Sequence, residues 1–221
     1  MDDEAMPVVI VHGLGDSPKM PWWGFLKKYI WQEEYDTEIH SIDLSSEFEI
    51  PFENERVKVP GTALGSVKEY AVELGKFIED LESDVMIIAH SLGGLVSRWY
   101  IEELGGEEHV SKLVTLATPH QGTYLAYMGL VSTAAREMLP SSELVYELNS
   151  KPLSDSVDYT AVWSSSDHAF IQKWRAKLPE NLVVLNENAR KVFAGEFSHL
   201  ELVYNRKVFN CYRKYLFDQR I

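Results

Sequence analysis

The chain has 221 residues, of which 45 % are hydrophobic and 25 % charged, ordinary values for one globular domain with a full core. Its 34 acidic against 21 basic residues leave a formal charge of −13, which argues against a nucleic-acid surface and against electrostatic docking on anionic lipid. The one cysteine, Cys211, has no intrachain disulfide partner. No apolar run reaches membrane-span length, and Met1-Asp-Asp-Glu lacks the basic and apolar pattern of a secretory signal. A cytoplasmic protein without stable membrane insertion is the expectation, or a secreted one if the chain is a processed mature form.

Pro7 to Val11 reads as a first buried strand, running into the turn His12-Gly13-Leu14-Gly15-Asp16. The Gly-x-Gly pair has no third glycine and no Lys-Ser/Thr, so it is not a phosphate-binding fingerprint. Trp22, Phe25, Leu26, Tyr29 and Ile30 mark an amphipathic helix, and Thr37 to Asp43 a second strand. From Ser45 to Pro60 the alternating Phe48, Ile50, Phe52 and Val57, Val59 fit a small edge hairpin or flap, since Pro51 and Pro60 confine it to an edge. Ser66 with Glu69 forms a capping box, opening a helix whose face holds Val67, Tyr70, Ala71, Leu74, Phe77, Ile78 and Leu81.

Val85 to Ala89 is an unbroken apolar run, the pattern of a strand buried on both faces. After Ser91, Leu92, Leu95, Val96 and Trp99 recur at helical spacing, and Gly105-Gly106 stop the helix. Ser91 therefore sits where a buried strand turns sharply into a helix, the setting of a nucleophile elbow. Read with that serine, the 12–16 turn supplies a second oxyanion donor through the N–H of Leu14, beside the N–H of Leu92.

Val110 to Ala117 is another strand, ending in Thr118-Pro-His-Gln-Gly122. Residues 123–150 are too apolar for a solvated connection, with Tyr124, Leu125, Tyr127, Met128, Leu130, Val131, Met138 and Leu139. Their spacing fits short helices capping the sheet edge as well as it fits an ordinary packing helix. Tyr159 to Ser164 is a strand leading to Asp167, and Leu182 to Leu185 reads as the last strand. Ser198 and Glu201 form a second capping box, opening a final helix with Leu200, Tyr204, Val208, Cys211 and Tyr215 on its apolar side. Alternating strands and helices imply an α/β fold, a mainly parallel sheet of about six strands with helices on both faces. The expected organisation is a single domain over 1–221 with a cap or lid insertion at about 123–156.

In such a sheet, active sites gather outside the carboxyl ends of the strands. Asp155 and Asp158 precede a strand. Asp167 follows one, and Glu187 after the last strand is the rival acid. Among seven histidines, His199 alone lies after the final strand, so Ser91, Asp167 and His199 follow one another in the order of a nucleophile, orienting acid and general base. The scheme needs no cofactor, and no His/Cys/carboxylate cluster has the spacing of metal ligands.

With these residues assembled, the chain resembles small bacterial and archaeal α/β-hydrolase lipases and esterases over most of its length. Val11-His-Gly-Leu-Gly15 is similar to their oxyanion loop, Ala89-His-Ser-Leu-Gly-Gly94 to their elbow, and Leu116 to Gly122 to their Thr-Pro-His-x-Gly segment. Ser164 to Asp167 and Ser198 to Tyr204 resemble the acid and base segments of compact Bacillus-type lipases. The resemblance implies hydrolysis of a small-molecule or lipid carboxylic ester through an acyl-serine. Two departures are Ala89 in place of the usual first glycine and a 123–150 segment longer than in the most compact members. Trp22, Trp23, Tyr124, Met128 and Val131 are candidates for the acyl pocket or lid. The same triad serves a thioesterase, acyltransferase or phospholipase, and the fold also occurs in non-catalytic binding proteins.

Overall fold

The computed structural model describes residues 5–33, 37–44, 46–52, 55–61, 65–124, 132–167 and 174–217. The elements, in chain order, are β1 (Ala5–Val11), α1 (Pro21–Gln32), β2 (Thr37–Ile42), β3 (Ser46–Phe52), β4 (Glu55–Gly61), α2 (Val67–Glu79), β5 (Val85–His90) and α3 (Leu92–Glu103). A short 3-10 turn at Gly106–Glu108 leads into β6 (Val110–Leu116), α4 (Thr133–Glu137), α5 (Glu143–Ser150), β7 (Asp158–Ser164), α6 (Glu180–Leu185), β8 (Ala189–Gly195), α7 (Glu201–Tyr204) and α8 (Arg206–Phe217). Among the described residues, six strands form one sheet in the order β2-β1-β5-β6-β7-β8. Every neighbouring pair in it is parallel. β3 and β4 form a separate antiparallel hairpin, in line with the edge hairpin read from the prolines.

The central strands are apolar on both faces because both faces are covered. On β1, Val9 and Val11 point into one core and Val8 and Ile10 into the other; Ile87 and Ala89 against Met86 and Ile88 repeat the alternation on β5. The first core is closed by α2, α3, α4 and α5, and the second by α1, α7 and α8. The α2 capping box forms as expected: Ser66 Oγ accepts from the Glu69 N–H at 3.1 Å, and Glu69 Oε2 from the Ser66 N–H at 2.8 Å. No helix among the described residues is long and apolar enough to cross a membrane.

Four expectations are corrected. Leu182 to Leu185 is not the last strand but most of α6, which begins at Glu180 behind Pro179. Only Leu182 is buried there, whereas Val184 and Leu185 are 74 % and 71 % exposed, so the run never had two faces to bury. The last strand is β8, a half-exposed edge strand whose charged residues hid it from a search for apolar runs. On α1 the buried side is Trp23, Leu26 and Ile30, with Phe25 half-exposed. The C-terminal helix is broken into α7 and α8 at Asn205, which turns Val208, Phe209, Tyr212 and Leu216 inward. Cys211 is consequently only partly buried, its thiol donating to the Lys207 carbonyl.

Candidate active site

Parallel register brings five strand ends level. Val11 pairs with Ala89, His90 with Leu116, Leu116 with Val162, and Ser164 with Gly195. The 12–16 turn, Ser91, the 117–122 loop, Asp167 and His199 therefore all emerge at the same carboxyl edge. This is where the sequence placed the reaction, and it follows from strand direction alone.

Ser91 stands between β5 and α3 at φ 52° and ψ −121°, a backbone conformation costly for a residue with a side chain. Its N–H donates to the Leu116 carbonyl at 2.9 Å, and its carbonyl accepts from Gly94 N–H at 3.1 Å, so both flanks of the turn are held. The elbow fits only because its neighbours are small. A Cβ on Gly93 would lie 2.5 Å from the Val11 carbonyl oxygen, and one on Gly13 would lie 3.0 Å from the Ser91 Cβ. The 12–16 turn thus lies directly against the serine.

His199 Nδ1 lies 2.9 Å from Asp167 Oδ2, with the two residues 8 % and 3 % exposed. A carboxylate only accepts, so Nδ1 carries the proton and Nε2 of a neutral ring is left basic. The His90 ring packs tilted against it, at 4.5 Å between ring centroids and 52° between planes, and donates from Nε2 to the His199 carbonyl at 3.2 Å. Burial, and then the proximity of His199, hold His90 well below the ordinary histidine range, so it supports the loop as a neutral ring. The Ser164 hydroxyl fastens the Asp167 and His199 loops together. It donates to the Phe197 carbonyl at 2.6 Å and accepts from the N–H groups of Phe197 at 2.8 Å and Ser166 at 3.1 Å.

Three other described histidines are engaged elsewhere. His120 contacts Thr115 Oγ1 and Arg98, and His40 contacts Glu38. His12 accepts at Nε2 from the Leu44 N–H at 3.0 Å, so its Nδ1–H donates to the Gly13 carbonyl at 2.9 Å. Leu92 is the first residue of α3, where a helix leaves N–H groups without intrahelical partners. Leu14 follows the pinned Gly13 carbonyl. Glu187 precedes β8 and so lies toward the amino edge of the sheet, which removes it as a rival to Asp167.

A family model described as palmitoyl protein thioesterase matches residues 7–176. The chain belongs to that family. The match takes in the 12–16 turn, the Ser91 turn and Asp167 and stops short of His199, whose pairing with Asp167 is a finding of geometry. No curated protein sequence matches the chain. Among solved structures, it is similar to the mature form of the Bacillus licheniformis lipase BlEst2, with a TM-score of 0.73 and 15 % identity over 97 % of this chain and 93 % of that one. The Bacillus subtilis carboxylesterase CesB gives a TM-score of 0.61 and 14 % identity over 99 % and 86 %. Aspergillus fumigatus lipase B gives 0.65 and 16 % over 92 % of this chain and 50 % of that one. These likenesses are of fold, and the sheet order and helices on both faces make it the α/β-hydrolase fold. As a member of the palmitoyl protein thioesterase family, the protein is a hydrolase.

Within this family member the pocket candidates separate. Trp23 is fully buried and packs edge-on to His90 at 6.2 Å, so it is a core residue rather than a pocket wall. Trp22 is partly exposed, with its indole N–H on Asp16, and Tyr124 is 48 % exposed beneath the Arg175 guanidinium. Met128 and Val131 lie outside the described residues. Sequence reasoning gave no role to Ser164 or Asp16, and gave His90 only that of shaping its own turn. Ser164 and His90 sit at strand ends with partners more than 30 residues away, a relation no local pattern displays.

Proposed function

We propose that this protein hydrolyses acyl esters through an acyl-serine, with Ser91 as nucleophile, His199 as general base and Asp167 as the acid that orients it. The observation that carries the reading is the buried His199–Asp167 pair at 2.9 Å on the strand edge that also presents the strained Ser91 turn. His199 Nε2 takes the Ser91 proton as Oγ attacks the acyl carbon, and returns it to the leaving group as the tetrahedral species collapses. Water then repeats the sequence on the acyl-serine. The N–H groups of Leu14 and Leu92 receive the oxyanion. The 123–156 segment is proposed as a cap over the acyl chain, supported by the exposed rings of Tyr124 and Tyr146, while Ala134, Ala135, Leu144 and Leu148 within it pack into the first core. The family membership favours thioesters over oxygen esters.

The test pairs Ser91→Ala with matched substrates. Wild-type protein is expected to turn over p-nitrophenyl acyl esters and acyl-CoA thioesters of equal chain length, and to be labelled at Ser91 by a fluorophosphonate. Ser91→Ala is expected to lose several orders of magnitude of turnover on both. Near wild-type turnover in that variant rules the mechanism out, and a folded wild-type protein that resists the probe points to a binding protein instead. Preference for the oxygen ester at matched chain length would overturn the thioester assignment alone.

A further inference from the structure

Asp16 carries a carboxylate for which the proposed reaction has no chemical use, yet it is only 8 % exposed. Three N–H groups hold it. The indoles of Trp22 and Trp23 donate to Oδ2 at 3.2 and 3.1 Å, and the Ser17 backbone donates to Oδ1 at 2.7 Å. Burying a carboxylate is costly, and hydrogen bonds to an ionised acceptor are stronger than neutral ones, so such an arrangement fixes a segment tightly. One end of this arrangement is immobile, because Trp23 is fully buried in the core of α1.

The other end reaches the site. The Asp16 backbone N–H donates to the Gly13 carbonyl at 3.3 Å, the same oxygen that accepts from His12 Nδ1 at 2.9 Å. In the planar trans peptide between Gly13 and Leu14, the carbonyl and the N–H point in opposite directions. Two donors on the Gly13 oxygen therefore set the direction of the Leu14 N–H. Gly13 itself lies against Ser91, so the direction being set is that of a group beside the nucleophile.

We propose that Asp16, clamped by the indoles of Trp22 and Trp23, is a positioning residue that holds the 12–16 turn so that the Leu14 N–H stays aimed at the acyl oxygen. The inference rests on the acyl-serine reading, since only that reaction gives the N–H an oxyanion to meet. The clamp acts on the transition state and leaves ground-state binding of the ester nearly untouched.

The experiment compares wild type with Asp16→Ala, Asp16→Asn and Trp22→Phe, each first shown to be folded by circular dichroism. Three quantities are measured: kcat and KM on a p-nitrophenyl acyl ester, and the inhibition constant of an acyl trifluoromethyl ketone of the same chain length. The ketone adds to Ser91 to give a tetrahedral oxyanion and so reports the hole directly. Asp16→Ala is expected to lower kcat by about 10²-fold, with KM within about 3-fold and ketone affinity weakened by the same factor as kcat. Trp22→Phe leaves Trp23 in place, and Asp16→Asn keeps one oxygen for the indoles; both are expected to lose about 3- to 10-fold in kcat and ketone affinity together. A folded Asp16→Ala with kcat and ketone affinity within about 2-fold of wild type overturns the proposal, as does a fall in kcat with ketone affinity unchanged. If Asp16→Ala does not fold, the same two outcomes in Asp16→Asn and Trp22→Phe decide. Retained activity in Ser91→Ala overturns the acyl-serine reading and this inference with it, so the two failures are told apart by that variant.

Discussion

Replacing Arg98 by Met probes the buried polar cluster that joins the nucleophile helix to the segment proposed as a cap. Arg98 lies on α3, two turns beyond Ser91, and is fully buried. Its guanidinium bonds both oxygens of Glu102, at 2.7 and 3.0 Å, and continues to the Leu148 carbonyl at 2.6 Å and Asn149 Oδ1 at 3.2 Å. Asn149 in turn donates to the His120 carbonyl at 2.8 Å. One cation thus holds the end of α5 and the loop after β6 against the helix that begins at the elbow.

Removing that cation strands the Glu102 carboxylate, whose side chain is 4 % exposed. Breaking one partner of a buried pair costs about 3–5 kcal/mol, a large share of the 5–15 kcal/mol that holds a typical domain folded. Burial already pushes the Glu102 carboxyl above its ordinary value while Arg98 pulls it back, so losing Arg98 raises it further. A carboxyl raised in the folded state keeps a proton that the unfolded chain has released. Its contribution to stability is therefore intact below the ordinary value of 4.5 and is lost as pH rises through the folded value.

Urea unfolding followed by circular dichroism at pH 8 and pH 5.5 is the assay. Arg98→Met is expected to lose about 3–5 kcal/mol at pH 8 and less at pH 5.5, where Glu102 is closer to its neutral form. The double variant Arg98→Met/Glu102→Leu is expected to regain most of the loss, because neither charge is then buried alone. An equal loss at both pH values, or a double variant no more stable than the single one, would refute the reasoning.

Asp167→Asn is expected to lower kcat by about 10⁴-fold, because an amide no longer fixes the His199 tautomer, whereas Glu187→Gln is expected to change it less than about 2-fold; the reverse ranking reassigns the acid. Gly93→Ala drives a methyl against the Val11 carbonyl oxygen and is expected to reduce kcat by more than 10-fold, or to lower the unfolding midpoint, by an overpacking cost of about 1–3 kcal/mol. Wild-type kinetics and melting in that variant would show the elbow to be looser than the geometry says. Replacing the exposed Tyr124 and Tyr146 by Ala is expected to change chain-length preference while leaving the fold intact, since each buried methylene of the acyl chain is worth about 0.8 kcal/mol. An unchanged preference across a panel of p-nitrophenyl esters would remove the cap from the proposal.

Much of this arrangement was legible in the sequence because the informative stretches have strong local signals. Val85 to His90 is buried at every position, and the helical spacing after Ser91 is cleanly separated from it by the elbow. Ser66 and Glu69 announced their helix through a capping box that forms as read. The weak points were places where the same pattern has two physical solutions. Leu182-Val-Val-Leu185 is short enough for either a strand or a helix, and the deciding features were its flanks, a proline at the N-cap and Glu180 in the first turn. Ala189 to Gly195 mixes charge with apolar residues because an edge strand meets solvent. The positioning groups were invisible for a different reason: Ser164, His90 and Asp16 act through partners that only the folded chain brings near.

Misreading the last strand could have cost the assignment of the acid, and the reason it did not lies in the polarity of the sheet. With Leu182–Leu185 taken as a strand, Glu187 stands at a carboxyl end and competes with Asp167. With β8 in its place, the same residue stands before a strand and is carried to the opposite edge. His199 survives either reading, because it follows both candidate strands. The proposed triad is therefore anchored unequally along the chain. The proposed nucleophile rises from a central strand buried on both faces, while the proposed base follows a half-exposed edge strand and depends on the Ser164 hydroxyl and the neutral His90 ring for its place. The family match ends before that base, so its assignment rests on the way the β7 and β8 ends are bonded together, and on the 2.9 Å pairing that this produces.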